Sequence, residues 1–308
     1  MTHFDFTGFP RGWFVVAYSD DIEAGATKPL RYFGRDLVIW RGEEGAVQVL
    51  DAFCPHLGAH LGHGGRVKNN HIVCPFHAWE FDGQGTCAHI PYAKKIPPKA
   101  KIKSWPVQEK NGVILVWYAP DNRPPEYEIP ILPEFGTSAW SPWTPNILNI
   151  ATQPKEIIEN IADKAHFPVV HGTHVDHFEN EFVDHMAIQR TAGVAYPRQG
   201  GEDHFSLTAT YFGPGYMITK MDGVIPSLML LATTPIDDEN LDLRFGVCLP
   251  NLGEKTAQFS QLYADNLLIG FREDIALWEN KVYRNRPTLC DGDGPLGRLR
   301  IWYQQFYE

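Results

Sequence analysis

The chain has 308 residues, enough for two ordinary domains, and its 44% apolar and 21% charged residues are typical of a globular protein. Its formal net charge of −10 argues against nucleic acid as a partner, because phosphate binding requires a basic face. Residues 1–13 lack the pattern of a signal peptide and apolar runs such as Val113–Tyr118 are too short to cross a bilayer, so we predict a cytoplasmic protein without a membrane span.

The first third of the chain has the pattern of short β-strands. Runs rich in Val, Ile, Phe and Trp are bounded by Gly, Asp and Asn at 13–18, 37–40, 47–50, 79–81 and 113–118. We predict a small all-β domain over residues 1–118, built as an antiparallel barrel or sandwich. The proline-dense stretch that follows predicts an extended linker over residues 119–145.

Two pairs of cysteine and histidine lie within this β-rich part. Cys54 is followed by His56, and Cys74 is followed by His77, with 17 residues between His56 and Cys74. Two cysteines and two histidines are the ligands of a Rieske [2Fe–2S] cluster. Structural zinc uses the same donors, but its spacings pair Cys with Cys and His with His. The remaining cysteines (Cys87, Cys248 and Cys290) are interpreted as ordinary buried thiols.

Residues 146–308 have an α+β pattern, with helices and an antiparallel sheet. A helix is predicted to begin at Pro154, with Thr152 as a possible cap. Strands are predicted over 205–212, 216–221, 228–234 and 241–248, and a second helix over 265–283. Met217, Met221, Leu228 and Leu230 alternate along two of these strands around Thr219, and they either line an apolar pocket or form ordinary sheet core.

A second group of metal-binding residues is predicted in this part. Asn160, Asp163 and His166 are three residues apart on the predicted helix, and His171 follows the break expected at Pro168. Two imidazoles and one carboxylate form the facial triad of non-heme Fe(II) enzymes. The alternatives are that His166 and His171 are core histidines, or that His174 replaces one of them.

The carboxylate of this triad is predicted to be Asp274. It falls on the apolar stripe of the late helix, where a charge is costly unless it is paired or bound to metal. Glu273 points about 100° away and is interpreted as solvated. A salt bridge is the alternative role for Asp274. The stripe consists of Leu267, Phe271, Trp278 and Val282. The glycine-rich segment 291–295 is interpreted as a plain turn rather than a cation loop.

These motifs resemble the Rieske non-heme iron oxygenases. The resemblance rests on Cys-Pro-His-Leu-Gly-x-x-Leu, Cys-Pro-Phe-His-x-Trp and Asn-x-x-Asp-x-x-His-Phe-x-x-x-His. Further stretches, among them Lys103-Ser-Trp-Pro and Leu277-Trp-Glu-Asn-Lys, resemble the steroid branch, which contains 3-ketosteroid 9α-hydroxylases and cholesterol 7-desaturases. The resemblance implies a Rieske domain and a helix-grip-like catalytic domain over 146–308.

The resemblance also implies a homotrimer, in which electrons cross from the cluster of one subunit to the iron of the next. Asp163 would bridge a cluster histidine of one subunit and an iron-binding histidine of its neighbour. Asn160 would lie near the iron as a weak or outer ligand.

The leading functional prediction is a monooxygenase with a [2Fe–2S] cluster, a mononuclear Fe(II) and O₂ as co-substrate. A separate flavin and iron–sulfur reductase would supply electrons from NAD(P)H, and a hydrophobic, steroid-like substrate would be hydroxylated or desaturated. One alternative is oxidation of an aromatic substrate, which if charged would require an arginine such as Arg190, Arg198 or Arg244 in the pocket. Another is an electron carrier, with about two irons per chain instead of about three.

Overall fold

The computed structural model describes residues 6–196, 201–223 and 225–307, and the chain divides into two compact units. One unit is formed by residues 15–128, and the other by residues 1–14 together with 129–308. Among the described residues, no helix combines the length and apolar character needed to cross a bilayer. The predicted fold class is confirmed, with an all-β part first and an α+β part after it.

The β-rich part contains three small sheets. Their strand orders are β1-β11-β10, β2-β3-β4-β9 and β5-β6-β7-β8. The strands are β1 (Gly12–Tyr18), β2 (Thr27–Tyr32), β3 (Arg35–Arg41), β4 (Val47–Asp51), β5 (Arg66–Lys68), β6 (His71–Val73), β7 (Glu80–Phe81), β8 (Cys87–His89), β9 (Ser104–Trp105), β10 (Val107–Lys110) and β11 (Val113–Tyr118).

Continuous apolar runs in β3 and β11 place these strands in the interior. Residues 37–40 and 113–117 are all buried, as expected for strands covered on both faces. A hydrophobic core containing Trp40, Leu50 and Phe81 also includes Cys54 and Cys74. The loops that carry the predicted cluster ligands are therefore anchored on a packed core.

The larger unit is built on one seven-stranded sheet with the order β12-β18-β17-β16-β15-β14-β13, in which every neighbouring pair is antiparallel. The strands are β12 (Thr144–Ile150), β13 (His174–Val183), β14 (Met186–Ala195), β15 (Asp203–Phe212), β16 (Tyr216–Asp222), β17 (Ser227–Pro235) and β18 (Leu241–Cys248). The helices are α1 (Pro154–Ile157), α2 (His166–Val170), α3 (Thr256–Trp278) and α4 (Leu296–Gln304). Residues 119–143 contain no helix or strand.

The predicted continuous helix from Pro154 through His166 is wrong. One turn of α-helix passes into a 3-10 segment, Ile158–Ile161, and then breaks before α2. Asp163 explains the break, because its Oδ1 accepts a hydrogen bond from the Ala165 amide, 3.1 Å away, and so stabilises a local turn. The predicted cap is also wrong, since the residue before α1 is Gln153 and it makes no side-chain capping bond.

Helix α2 does not end at Pro168, as the sequence suggested. Pro168 lies in the first turn, where a missing amide leaves no helical bond unmade. The helix ends at Val170, and His171 follows as its C-terminal cap residue.

Helix α3 begins nine residues earlier than predicted and ends at Trp278. At its start, Thr256 Oγ1 accepts a hydrogen bond from the Leu252 amide. At its end, the Asn280 side chain donates to the carbonyl oxygen of Ala276 and caps the last turn. The buried positions on α3 are Ser260, Ala264, Asp274 and Trp278, one stripe that faces the sheet.

The two ends of the chain meet within the larger unit. The Arg11 amide donates to the carbonyl oxygen of Phe306 at 2.7 Å, and the Phe6 ring packs edge-on against Tyr303. Nearby, the buried Arg300 guanidinium binds Glu159 (Nε to Oε1, 2.7 Å) and the carbonyl oxygen of Arg284. The last residues thus fasten the segment that carries the predicted iron ligands.

Candidate metal centres

The two cysteine–histidine loops repeat one backbone geometry. The Gly58 amide donates to the Cys54 carbonyl oxygen at 3.0 Å, and the Ala78 amide donates to that of Cys74 at 3.1 Å. Both donor residues have positive φ, 78° at Gly58 and 56° at Ala78. A left-handed alanine is disfavoured, so the contacts of this loop must stabilise the strained backbone at Ala78.

The side chains of these loops converge. The rings of His56 and His77 have centroids 4.6 Å apart, and both cysteine side chains are buried in the same core cluster. Burial raises the pKa of Cys54 to about 12, so without a positive partner this thiol would stay protonated. The His56 ring stacks on Trp79, and its Nδ1 is buried with no hydrogen-bond partner.

These features fit a [2Fe–2S] cluster. Two adjacent buried thiols and an unpartnered buried imidazole nitrogen are costly in an empty protein but are satisfied by metal. Cys87 is also buried, and its thiol donates to the carbonyl oxygen of His89. The interpretation of Cys290 as a buried thiol is wrong, because its side chain is exposed.

The second predicted group is compact. Ligand atoms of His166, His171 and Asp274 all lie within 4.8 Å of one another, and no other such group of His, Cys, Asp or Glu occurs among the described residues. His166 is the first residue of α2 and His171 follows its last, while Asp274 is buried on the inner stripe of α3. His174 is exposed and pairs with Asp176, so it lies outside this group.

The orientation of His166 is set by a backbone contact. Its Nδ1 lies 2.6 Å from the carbonyl oxygen of Asp163 and must donate to it, because a carbonyl only accepts. The ring is therefore held in the tautomer that leaves Nε2 unprotonated and available to a metal. Burial lowers the pKa of His166, which also favours the neutral ring.

His171 contacts two carboxylates. Its Nε2 lies 3.4 Å from Asp274 Oδ1, and its Nδ1 lies 3.3 Å from Glu273 Oε2. The hydrogen bond that the protonated His171 ring donates to Asp274 raises the pKa of His171, so metal binding must displace a proton there. The interpretation of Glu273 as solvated is wrong, because His171 lies between two successive residues of α3 and touches both.

The other two predicted site residues surround this group. Asp163 is half-buried and its Oδ2 lies 3.8 Å from His166 Nδ1. Asn160 lines the neighbouring cavity, and its Oδ1 accepts a hydrogen bond from Trp278 Nε1 at 3.3 Å. Trp278 is one helical turn after Asp274, so this bond ties the 3-10 segment to the helix that carries the carboxylate.

Gly294 also positions this site. A methyl group at Gly294 would overlap the carbonyl oxygen of Ala162 and crowd the amide of Lys164, the two residues that flank Asp163. The segment interpreted as a plain turn therefore packs backbone to backbone against the ligand loop. Sequence spacing gave no signal of this contact, because more than 130 residues separate its partners.

We expect Gly294→Ala to weaken iron binding at the mononuclear site about tenfold, since the added methyl displaces the turn that orients His166. Metal titration followed by iron analysis measures this, and the visible spectrum of the cluster should be unchanged. Gly292→Ala is the matched control, because the nearest atom to its added methyl is Cys290 Sγ at 3.9 Å. Equal iron affinity in the two variants would contradict the positioning role.

A cavity of about 310 Å³ adjoins the His166, His171 and Asp274 side chains. It lies between α3 and the sheet, and its lining is mainly apolar, including Met217, Met221, Met229 and Leu231. Of the four residues for which the sequence left pocket lining and sheet core open, Met217 and Met221 line this cavity, whereas Leu228 and Leu230 belong to the sheet core. In the register of β16 and β17, Met217 pairs with Leu231 and Thr219 pairs with Met229. The side chains of Met229 and Leu231 therefore face the cavity, and those of their neighbours in β17 face away from it.

Comparisons with known proteins agree with these features. Residues 12–106 match the Rieske [2Fe-2S] domain, and residues 116–307 match the 3-ketosteroid 9alpha-hydroxylase C-terminal domain. A probable 3-ketosteroid-9-alpha-monooxygenase oxygenase component of Rhodococcus rhodochrous is 36% identical over 97% of this chain and 80% of its own. Cholesterol 7-desaturase nvd 1 of Ciona intestinalis is 31% identical over 97% of this chain and 69% of its own. The structure of dicamba monooxygenase bound to dicamba superposes with a TM-score of 0.79 at 20% identity, covering 96% of each chain, which shows the shared fold.

Proposed function

This chain belongs to the Rieske oxygenase components with a 3-ketosteroid 9α-hydroxylase C-terminal domain, and we propose that it hydroxylates or desaturates a steroid-like substrate. The observation that carries the proposal is the apolar cavity beside His166, His171 and Asp274. A bound Fe(II) would supply the activation of O₂, and the [2Fe–2S] cluster would supply electrons.

Each residue of the proposed iron site has a role that its contacts support. His166 and His171 would present Nε2, because their Nδ1 atoms face the Asp163 carbonyl oxygen and Glu273. Asp274 would complete the set and offset the metal charge inside an apolar wall. The apolar lining would hold the substrate and exclude bulk water from the reacting carbon.

We propose a homotrimer in the cytoplasm, served by a separate NAD(P)H-dependent reductase. An oxygenase component requires an electron donor, and the names of the relatives imply one. Large apolar side chains are exposed around the cluster loops, with Leu57 65% and Phe76 61% accessible, as expected for a surface that another protein covers. The half-exposed carboxylate of Asp163 would reach the cluster histidine of a neighbouring subunit.

An aromatic substrate with a charged group is less well supported. The described residues that line the cavity include no arginine or lysine. Arg190 pairs with Glu181 and Arg244 lies beside Asp242, both away from the cavity, whereas Arg198 lies outside the described residues. The mononuclear ligand group likewise disfavours a simple electron carrier.

We expect the purified protein to contain about three irons per chain and, with a reductase, NADH and O₂, to convert a 3-ketosteroid into a hydroxylated or desaturated product. Mass spectrometry of products from a panel of steroids and substituted benzoates identifies the class. Conversion of benzoates but not steroids would overturn the proposal, and two irons per chain without turnover would favour the electron carrier.

A further inference from the structure

The cavity contains one buried hydroxyl that the protein leaves unsatisfied. Thr219 is 2% exposed and lines the cavity, yet its Oγ1 has no hydrogen-bond partner. Among the lining residues that the structure describes, no other has a buried side-chain polar atom in this condition. A buried hydroxyl without a partner is unfavourable, so its presence in an apolar wall requires an explanation.

Neighbouring polar residues do not satisfy this hydroxyl. Gln189 lies two strands away in the same cross-strand row, Gln189–Ala209–Thr219, and its Nε2 donates to Thr191 Oγ1 at 2.7 Å. Asn160 accepts from Trp278, and Asn266 is exposed. Ala209 separates Gln189 from Thr219 with a small side chain, so space is left in front of the hydroxyl.

The register locates Thr219 relative to the proposed iron. Phe271 of α3 packs on Phe245, which pairs across the strands with Leu231. Tyr263 of α3 hydrogen-bonds with Ser227, which pairs with Met221. Thr219 lies midway between Met217 and Met221 on β16, so along α3 it falls between Phe271 and Tyr263, near Leu267. Leu267 precedes Asp274 by seven residues, which corresponds to about 10 Å along the helix axis.

We propose that Thr219 Oγ1 binds an oxygen atom, either a ketone or a hydroxyl, on an otherwise apolar polycyclic substrate, in the part of the cavity away from the proposed iron site. This inference rests on the proposed function and adds the group that fixes which end of the substrate points away from the iron. A threonine hydroxyl donates to a ketone and can donate to or accept from an alcohol, so it suits both. The single hydrogen bond to Thr219 selects the orientation of the substrate, while the flexible methionine side chains of the cavity adapt to the shape of its rings.

The test begins with stability in the absence of substrate. Valine has the shape of threonine and suits a strand, so Thr219→Val removes only the unsatisfied hydroxyl. We expect its Tm to rise by about 2 °C. Thr233→Val, a buried threonine of β17 outside the cavity, is the control and should show no such gain. A lower Tm for Thr219→Val would mean that the hydroxyl stabilises the protein itself, and would overturn the inference.

The second measurement is binding to the protein with both metal centres loaded. The probes are a 3-ketosteroid, the corresponding 3-alcohol and the 3-deoxy analogue, and the readout is the shift in Tm with probe concentration. We expect Thr219→Val to weaken binding of the ketone or the alcohol about tenfold and leave the deoxy analogue unchanged. Thr219→Ser should keep the preference for oxygen.

The outcomes separate this inference from the proposed function. An unchanged preference for the oxygen-bearing probes in Thr219→Val would overturn the inference even if the wild-type protein oxidises steroids. Selective binding that depends on Thr219 but leads to no oxidised product would support the inference and overturn the proposed function. Failure of all three probes to bind would overturn both.

Discussion

Asp274→Ala is expected to remove about one iron per chain and to abolish substrate oxidation, while the visible spectrum of the cluster stays intact. The variant deletes the only carboxylate in the group formed with His166 and His171, and two imidazoles alone bind Fe(II) weakly. Iron analysis, visible absorption and product formation provide the measurement. Asp265→Ala, at an exposed position of the same helix, is the control and should behave as the wild type does.

Glu273→Gln tests how the neighbouring carboxylate acts. Glutamine can still accept the hydrogen bond from His171 Nδ1 but lacks the charge, so we expect weaker iron binding by about tenfold rather than its loss. If the Glu273 variant lost the iron and the Asp274 variant retained it, the roles assigned to the two carboxylates would have to be exchanged.

Asp163→Asn is expected to leave both metal centres occupied and yet slow the oxidation of the reduced cluster about 100-fold. The substitution keeps the local structure, because the backbone carbonyl oxygen still binds His166 and an asparagine Oδ1 can still accept from the Ala165 amide. Only the charge proposed to connect two subunits is lost. Stopped-flow absorbance of the reduced cluster, mixed with O₂ and substrate, measures the rate.

Asp176→Asn is the matched control for this rate, since Asp176 is an exposed acid that pairs with the exposed His174. A normal rate of cluster oxidation in the Asp163 variant would remove the electron-transfer role. Asp163 would then act only on its own chain, through the turn before α2.

The sequence predicted most of the β-rich part because its strands are continuous apolar runs. The runs at 37–40, 47–50 and 113–118 correspond to β3, β4 and β11 within about two residues. The same property left β17 ambiguous. Residues 227–235 are nearly all buried, so hydrophobicity has no alternation that separates cavity-lining residues from core residues, and both roles stayed open for Leu228 and Leu230.

The predicted iron ligands form one group in the structure, but the helix argument that led to them was partly wrong. Helical spacing placed Asp274 on the buried stripe of α3, which the structure also shows. Helical spacing failed for Asn160, Asp163 and His166, because the Ala165 amide donates a hydrogen bond to the Asp163 side chain and a local turn replaces the helix there. The contact of Gly294 with Ala162 joins distant parts of the chain, and no local pattern encodes it.

The meeting of the two chain ends has a consequence for biosynthesis. During translation Phe6 and Arg11 emerge from the ribosome long before their contacts Tyr303 and Phe306. Gly294 and Arg300, which contact the ligand segment, also emerge late. Residues 15–128 form their own core and can fold during translation, since domains fold as units from the N-terminus. The larger unit cannot be completed until the last residues emerge. We therefore expect iron binding at the proposed site of His166, His171 and Asp274 to follow the emergence of Gly294 and Phe306, whereas the proposed cluster site lies in a unit that can fold earlier.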